Sequence, residues 1–224
     1  PISDLFPQAG ITFWDAAHEC NAGMMADGFT RATGKISMMV AQNGPGITNF
    51  VTPVKTAYWN HTPLLLVTPQ AANKTLGQGG FQEVEQMALF EDMVAYQEEV
   101  RDPSRIAETL NRVILQAKRA SAPAQINVPR DFWTQVIDIE LPAIVEFERP
   151  SGGEDAIAAA SEMLSNAEFP VMLNGAGVVI GGAIEASIKL AERLDAPVCC
   201  GYQHNDAFPG SHPLFAGLLG YNGS

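Results

Sequence analysis

His18-Glu19-Cys20-Asn21-Ala22-Gly23-Met24-Met25-Ala26-Asp27-Gly28-Phe29-Thr30-Arg31 sets one carboxylate, Glu19, where an extended run gives way to a helix. Upstream, Ile11-Thr12-Phe13-Trp14 is β-branched and aromatic, the composition of a buried strand, and predicts one over residues 12–16. Downstream, Ala22, Met25, Ala26 and Phe29 share one helical face, which predicts a helix over residues 20–33. A carboxylate in a first turn is stabilised by the unpaired amides and the positive dipole end of its helix, and taken alone this accounts for Glu19.

A second turn of the same kind changes the odds. Gln42-Asn43-Gly44-Pro45-Gly46-Ile47-Thr48-Asn49 follows the apolar run 36–41 and precedes another helical pattern. Two strand-to-helix turns at one edge of a parallel sheet share a crevice, and glycines let a ligand approach the backbone closely there. Glu19 and the Gly44-Pro45-Gly46 turn are therefore expected at the same sheet edge.

Outward from these turns, strands alternate with helical patterns, which implies an α/β fold with a parallel sheet covered by helices on both faces. Further helices are predicted over 47–60, 82–90 and 105–119, and strands over 36–41, 64–68, 94–100 and 124–128. Leu64-Leu65-Leu66-Val67 has no polar alternation, the mark of a strand buried on both faces. Pro103-Ser104 offers a cap for the helix at 105. Residues 1–132 read as a first domain, and 133–153, without helical period and carrying Pro142, Pro150, Gly152 and Gly153, as a linker. A second α/β domain, 154–224, opens with helix 154–166, strand 171–174, helix 183–194 and strand 197–201. Gly175-Ala176-Gly177-Val178-Val179-Ile180-Gly181 invites a dinucleotide reading, but its third glycine is misplaced by one and no acidic residue clearly ends the next strand, so close strand-to-helix packing is expected instead. Residues 1–7 read as the end of a helix and 217–224 as a loop, so both domains are expected to be incomplete pieces of a larger protein.

The 224 residues suffice for a buried core, and three cysteines, two of them adjacent, suggest no disulfide framework but a reducing cytoplasm. There is no signal peptide and no membrane-length apolar run, so no membrane partner is expected. A net charge of −12 with scattered Lys and Arg argues against nucleic acid. An anionic substrate has to be met by local cations or amide nests against that field.

The order His18-Glu19, then Met25 to Gly34, then Gly44-Pro45-Gly46-Ile47-Thr48-Asn49 resembles the pyrimidine-binding domain of thiamine-diphosphate-dependent enzymes. The residues from 154 look like the start of the Rossmann-like central domain of the same family. The resemblance implies that Glu19 is catalytic, sharing a proton with the aminopyrimidine of the cofactor, and that Glu19, Gly44, Pro45, Gly46, Asn49 and Gln82 contact thiamine diphosphate. Such a carboxyl has to be dry enough to hold a proton, which burial against groups such as Met24 could supply. The family's Gly-Asp-Gly motif for the diphosphate and Mg2+ does not occur here. No metal ligand is therefore expected in this chain, which alone should be inactive, and the intact enzyme is expected to be a homodimer or homotetramer.

Gly79-Gly80-Phe81-Gln82-Glu83-Val84-Glu85-Gln86, with Ala57 to Pro63 and Cys199 to Asp206, is similar to the carboligase branch of that family. Within the branch, the likeness implies an acetyltransferase of taurine degradation that converts sulfoacetaldehyde and phosphate into acetyl phosphate and sulfite. His18, Phe81 and Gln82 are then the substrate candidates. His61, Lys74 and Arg130 are further cations to consider, although surface or packing roles suit them better. Two alternatives stand: another carboligase or decarboxylase such as acetohydroxyacid synthase, and a non-catalytic α/β module, against which the retained Glu19 argues.

Overall fold

The computed structural model describes residues 2–145 and 150–221. Residues 146–149 of the expected linker and 222–224 of the expected terminal loop lie outside the described residues. The chain divides into two compact units, Pro1–Phe147 and Glu148–Ser224, and the division falls inside the stretch read as a linker.

The first unit comprises α1 (Ile2–Leu5), α2 (Glu19–Thr33), β1 (Ser37–Val40), α3 (Pro45–Thr48), α4 (Val51–Trp59), β2 (Leu64–Gln70), α5 (Gln86–Phe90), β3 (Tyr96–Glu99), α6 (Ile106–Ala120) and β4 (Ala124–Pro129). Its sheet is wholly parallel with strand order β1-β2-β4-β3. Leu64 and Leu66 of β2 pack with Ile47, Phe50, Val54 and Phe90 on one face, while Leu65 and Val67 pack with Val113, Ala117 and Ile126 on the other. The apolar run thus serves two cores at once, as a central parallel strand must. Between α2 and α4, Gly23 lies against Pro53 so closely that a Cβ would collide with the proline ring.

Four expectations change. Residues 12–16 form no strand: β1 is the outer strand of its sheet, and Ile11 and Trp14 are 44% and 75% exposed. Strand composition needs a neighbouring strand to act on, and this segment is held instead by Phe13 stacking on Phe6 at 5.5 Å. The single helix expected over 47–60 is split into α3 and α4, because Pro53 has no N–H to give the Asn49 carbonyl four residues back. The helix expected over 82–90 begins only at Gln86, since Gln82 adopts φ +60°. Ser104 does not cap α6, whose N-cap Arg105 makes no side-chain cap bond; Asp102 instead caps the 3-10 turn Pro103–Arg105 that leads into it, its carboxylate accepting from the Ser104 N–H at 2.9 Å.

The second unit comprises α7 (Glu154–Ser165), β5 (Met172–Asn174), α8 (Ala176–Ile180), α9 (Ile184–Leu194), β6 (Val198–Gly201) and β7 (Phe215–Leu219). Its three strands are parallel in the order β5-β6-β7, with Ala191, Val198, Cys200 and Phe208 in its core. Residues 217–219, expected in a loop, belong to β7; Gly217 at φ +108° faces a register shift in the pairing with β6, so the glycine marks a bulge rather than the end of a strand. Close packing does not explain Gly175 and Gly177, because a Cβ on either would meet nothing within 4 Å.

Candidate functional site

Glu19 is the first residue of α2, capped by His18, whose backbone is extended (φ −147°) and whose Nδ1 accepts from the Cys20 N–H at 3.1 Å. With Nδ1 engaged by that backbone N–H, Nε2 is the ring nitrogen left for another partner. Glu19 reaches the second turn. Its Oε2 accepts from Asn49 Nδ2 at 2.9 Å, and its Oε1 lies 3.3 Å from where a Cβ on Gly46 would stand. The expectation that Glu19 and the Gly44-Pro45-Gly46 turn share an edge is thereby met by direct contact.

Each residue of the turn has a reason. Gly44 has φ +73°, and a Cβ there would stand 2.7 Å from the Gln82 carbonyl oxygen. Pro45 opens α3, where a missing N–H costs nothing. Gly46 leaves room for the Glu19 carboxylate. Gln82 reaches the turn from the loop before α5: its carbonyl accepts from Asn43 Nδ2 at 3.0 Å and its Oε1 from Gln42 Nε2 at 2.7 Å. The loop is gathered by Glu83, whose two carboxylate oxygens accept from Gly77 N at 2.6 Å and Gly80 N at 3.0 Å. Phe81, between these anchored residues, is 80% exposed. Glu19, Gly44, Pro45, Gly46, Asn49 and Gln82 therefore converge. No hydrogen bond or ion pair joins the side chains of His61, Lys74 or Arg130 to them, and all three residues are exposed.

The carboxyl is not dry in this chain. Glu19 is half-buried, Met24 is 38% exposed, and the hydrogen bond from Asn49, followed by that from its own backbone N–H, holds the carboxyl below its ordinary value of 4.5. The expected burial against Met24 is thus corrected: the described surroundings keep Glu19 ionised, with desolvation opposing them only in part.

One contributor escaped the sequence reading. Gln86 is fully buried, and its side-chain amide joins the Gly44 N–H to the end of β2 and to Asn127 of β4. The available signal was a glutamine opening the apolar stretch Met87-Ala88-Leu89-Phe90, a place where an unpartnered amide is costly. Among the described residues no group of three or more His, Cys, Asp or Glu could hold a metal ion, and no helix is long and apolar enough to cross a membrane.

Two family models match the chain: "Thiamine pyrophosphate enzyme, N-terminal TPP binding domain" over residues 1–89, and "Thiamine pyrophosphate enzyme, central domain" over residues 157–224. The chain is 81% identical over 224 residues to the sulfoacetaldehyde acetyltransferase of Roseovarius nubinhibens, covering 100% of this chain and 37% of that protein. It is 71% identical over 224 residues to the enzyme of that name from Rhodobacter capsulatus, covering 100% of this chain and 38% of that one. Among solved structures, the thiamine diphosphate-dependent 4-hydroxybenzoylformate decarboxylase of Rhodococcus jostii RHA1 matches with a TM-score of 0.81 and 25% identity, over 98% of this chain and 44% of that one. The chain thus spans less than two fifths of the length of these curated relatives.

Proposed function

Because the chain belongs to the thiamine pyrophosphate enzyme family, we propose that it supplies the aminopyrimidine half of a thiamine diphosphate site in an enzyme that converts sulfoacetaldehyde and phosphate into acetyl phosphate and sulfite. The observation that carries this reading is the contact of Glu19 with the Gly44-Pro45-Gly46 turn, a carboxylate facing bare backbone. Two relatives at 81% and 71% identity that bear the name of that activity support the choice of reaction.

The residues present suit a flat, nitrogen-bearing ring. Gly46 presents no side chain beside Glu19, and Glu19 offers an acceptor whose proton affinity its surroundings can tune. Thiamine diphosphate, when bound, supplies a carbon acid that takes up the acyl unit and stabilises the negative charge formed there. Glu19 accepts and returns a proton at its carboxylate oxygen. Excluding water from it would desolvate it and raise its proton affinity from the depressed value it has here, toward the sharing that general acid and base work requires. Asn49 opposes this by hydrogen-bonding the ionised form, so the carboxylate stays aimed at the crevice while it waits. Gln82 and Phe81 border the same space and are placed to shape the acyl pocket; His18, through Nε2, is placed to meet an anionic group.

The residues do not suit the diphosphate and Mg2+, which we assign to a part of the protein outside this chain. The reading includes a cytoplasmic homodimer or homotetramer acting in taurine degradation, with small-molecule substrates, phosphate as acceptor, and neither nucleic acid nor membrane as partner. The pyrimidine-binding domain is taken as 1–132, the linker as 133–153 and the central domain as 154–224. The test is an assay of the full-length protein with thiamine diphosphate, Mg2+, sulfoacetaldehyde and phosphate. Acetyl phosphate and sulfite in equal amounts support the reading. Carbon dioxide and 2-acetolactate from pyruvate would favour acetohydroxyacid synthase instead, and cofactor binding without either reaction would reject both activities.

A further inference from the structure

Gln86 is joined to the glycine turn from within the core. It opens α5, is fully buried, and uses both ends of its side-chain amide. Oε1 accepts from the Gly44 N–H at 3.2 Å, while Nε2 donates to the Pro69 carbonyl at 2.7 Å and to Asn127 Oδ1 at 3.2 Å. These partners follow β1, belong to the end of β2, and lie in β4, three strands adjacent in the sheet. One side chain therefore ties the turn after β1 to β2 and β4. Among the described residues, no backbone acceptor meets the Gly44 N–H, so Gln86 provides its bond. Asn127 in turn accepts from Thr68 Oγ1 at 2.6 Å and donates to Glu99 at 2.7 Å, which fixes its amide the right way round for Gln86.

The segment carrying Gln86 also carries Gln82, held to Asn43 and Gln42 just before the same turn. The turn is thus held by two residues four apart in one segment. Gln82 pays for its place with φ +60°, a conformation that a residue with a side chain keeps only where its surroundings over-determine it. Resting on the function proposed above, we propose that Gln86 is a positioning residue: through the Gly44 N–H it sets where the Gly44-Pro45-Gly46 turn stands relative to Glu19, and hence the geometry in which the aminopyrimidine is held.

The test uses the full-length protein with Gln86→Met, which keeps length and apolar volume but loses all three bonds. Three quantities are compared with wild type: the thiamine diphosphate concentration giving half-maximal binding, kcat, and hydrogen exchange over 43–50 and 82–90 without cofactor. The expected result is a half-saturating concentration raised about tenfold or more, kcat lowered toward the ~100-fold that a 1 Å misplacement costs, and faster exchange in both segments together. A lower thermal midpoint with unchanged half-saturation and unchanged exchange over 43–50 would overturn the proposal and leave Gln86 a plain core residue. If the substituted protein does not fold, the wild type decides. Its Gly44 amide should be as protected as the amides of β2, and thiamine diphosphate should slow exchange over 43–50 and 82–90 in parallel; a fast Gly44 amide, or segments that respond separately, overturns the proposal. Binding and exchange are read without turnover, so a protein that binds the cofactor but leaves sulfoacetaldehyde untouched would count against the proposed reaction and not against Gln86.

Discussion

The turn at Gly44 and the turn at Gly175 occupy the same place in a parallel βα unit, each rich in glycine and each between a strand and a short helix. Around the first, side chains arrive from far along the chain: Glu19 touches Gly46, Gln86 meets the Gly44 N–H, and Gln82 lies against Gly44. Around the second, the hydrogen bonds are local, Val178 N to Gly175 O at 3.1 Å and Gly181 N to Gly177 O at 3.0 Å, and a Cβ on Gly175 or Gly177 would meet open space. Glycine spacing marks a strand-to-helix turn; what distinguishes a site is convergence of groups from elsewhere upon it.

The largest expected effect comes from removing the group that gives the first turn its chemistry. In the full-length enzyme, Glu19→Gln should lower turnover by about 10²–10⁴-fold, the usual cost of losing a positioned proton-transfer group, while fold and oligomer persist because Gln is nearly isosteric. If Glu19 were only a helix-start acid, the change would be a stability loss of roughly 0.3–1 kcal/mol with little effect on rate. Acetyl phosphate formation measured beside thermal unfolding separates the two, and near-normal turnover would make the turns equivalent after all.

Next in size is the backbone itself. Gly44→Ala forces a side chain into φ +73° and 2.7 Å from the Gln82 carbonyl, where neither partner is a flexible chain end. The expected cost is about 1–3 kcal/mol, read as a fall in the urea midpoint of unfolding and in cofactor affinity. An unchanged midpoint would mean that the turn is not tightly gripped.

The same contrast shows what could be read in the sequence. Leu64 to Val67 were legible because a strand apolar on both faces has few other uses, and Glu19 with the glycine turn was legible because its motif is a local pattern. Ile11 to Trp14 misled because strand propensity is a statement about neighbours, and β1 has none on that side. The break before Val51 was written in Pro53, but its effect falls four residues upstream, where the sequence looks helical. Gln86 was hidden for a deeper reason: its partners Gly44, Pro69 and Asn127 are brought to it only by the strand order, which no local spacing encodes.

A smaller effect tests the wiring between Glu19 and the turn. Asn49 holds the Glu19 carboxyl below 4.5, so Asn49→Ala should move its titration upward, as followed by carboxyl-carbon NMR. A folded-state value below the unfolded one means that the interaction stabilises the fold above the unfolded value and that this contribution is lost as pH falls through the folded value. Wild type should thus exceed Asn49→Ala in stability at pH 7, modestly because the pair is open to water, and the electrostatic part of that excess should vanish in acid. A titration that stays in place would show that Asn49 is not what depresses Glu19.

The smallest effect is expected to have the opposite sign. Gly177 lies within α8 (Ala176–Ile180), has no atom within 4 Å of a would-be Cβ, and does not have positive φ. Gly177→Ala therefore meets neither steric nor conformational penalty, and it removes freedom that only the unfolded chain enjoys. The substitution should stabilise by about 0.4–1 kcal/mol, in contrast to the loss at Gly44. Unfolding by urea of the full-length protein, followed by a signal from the second unit, measures it. Turnover should be unchanged, because among the described residues no side chain from outside the turn bonds to it. A loss of stability, or a loss of activity without one, would mean that a group from elsewhere in the full-length protein converges on Gly177, and the second turn would then have to be counted as a site like the first.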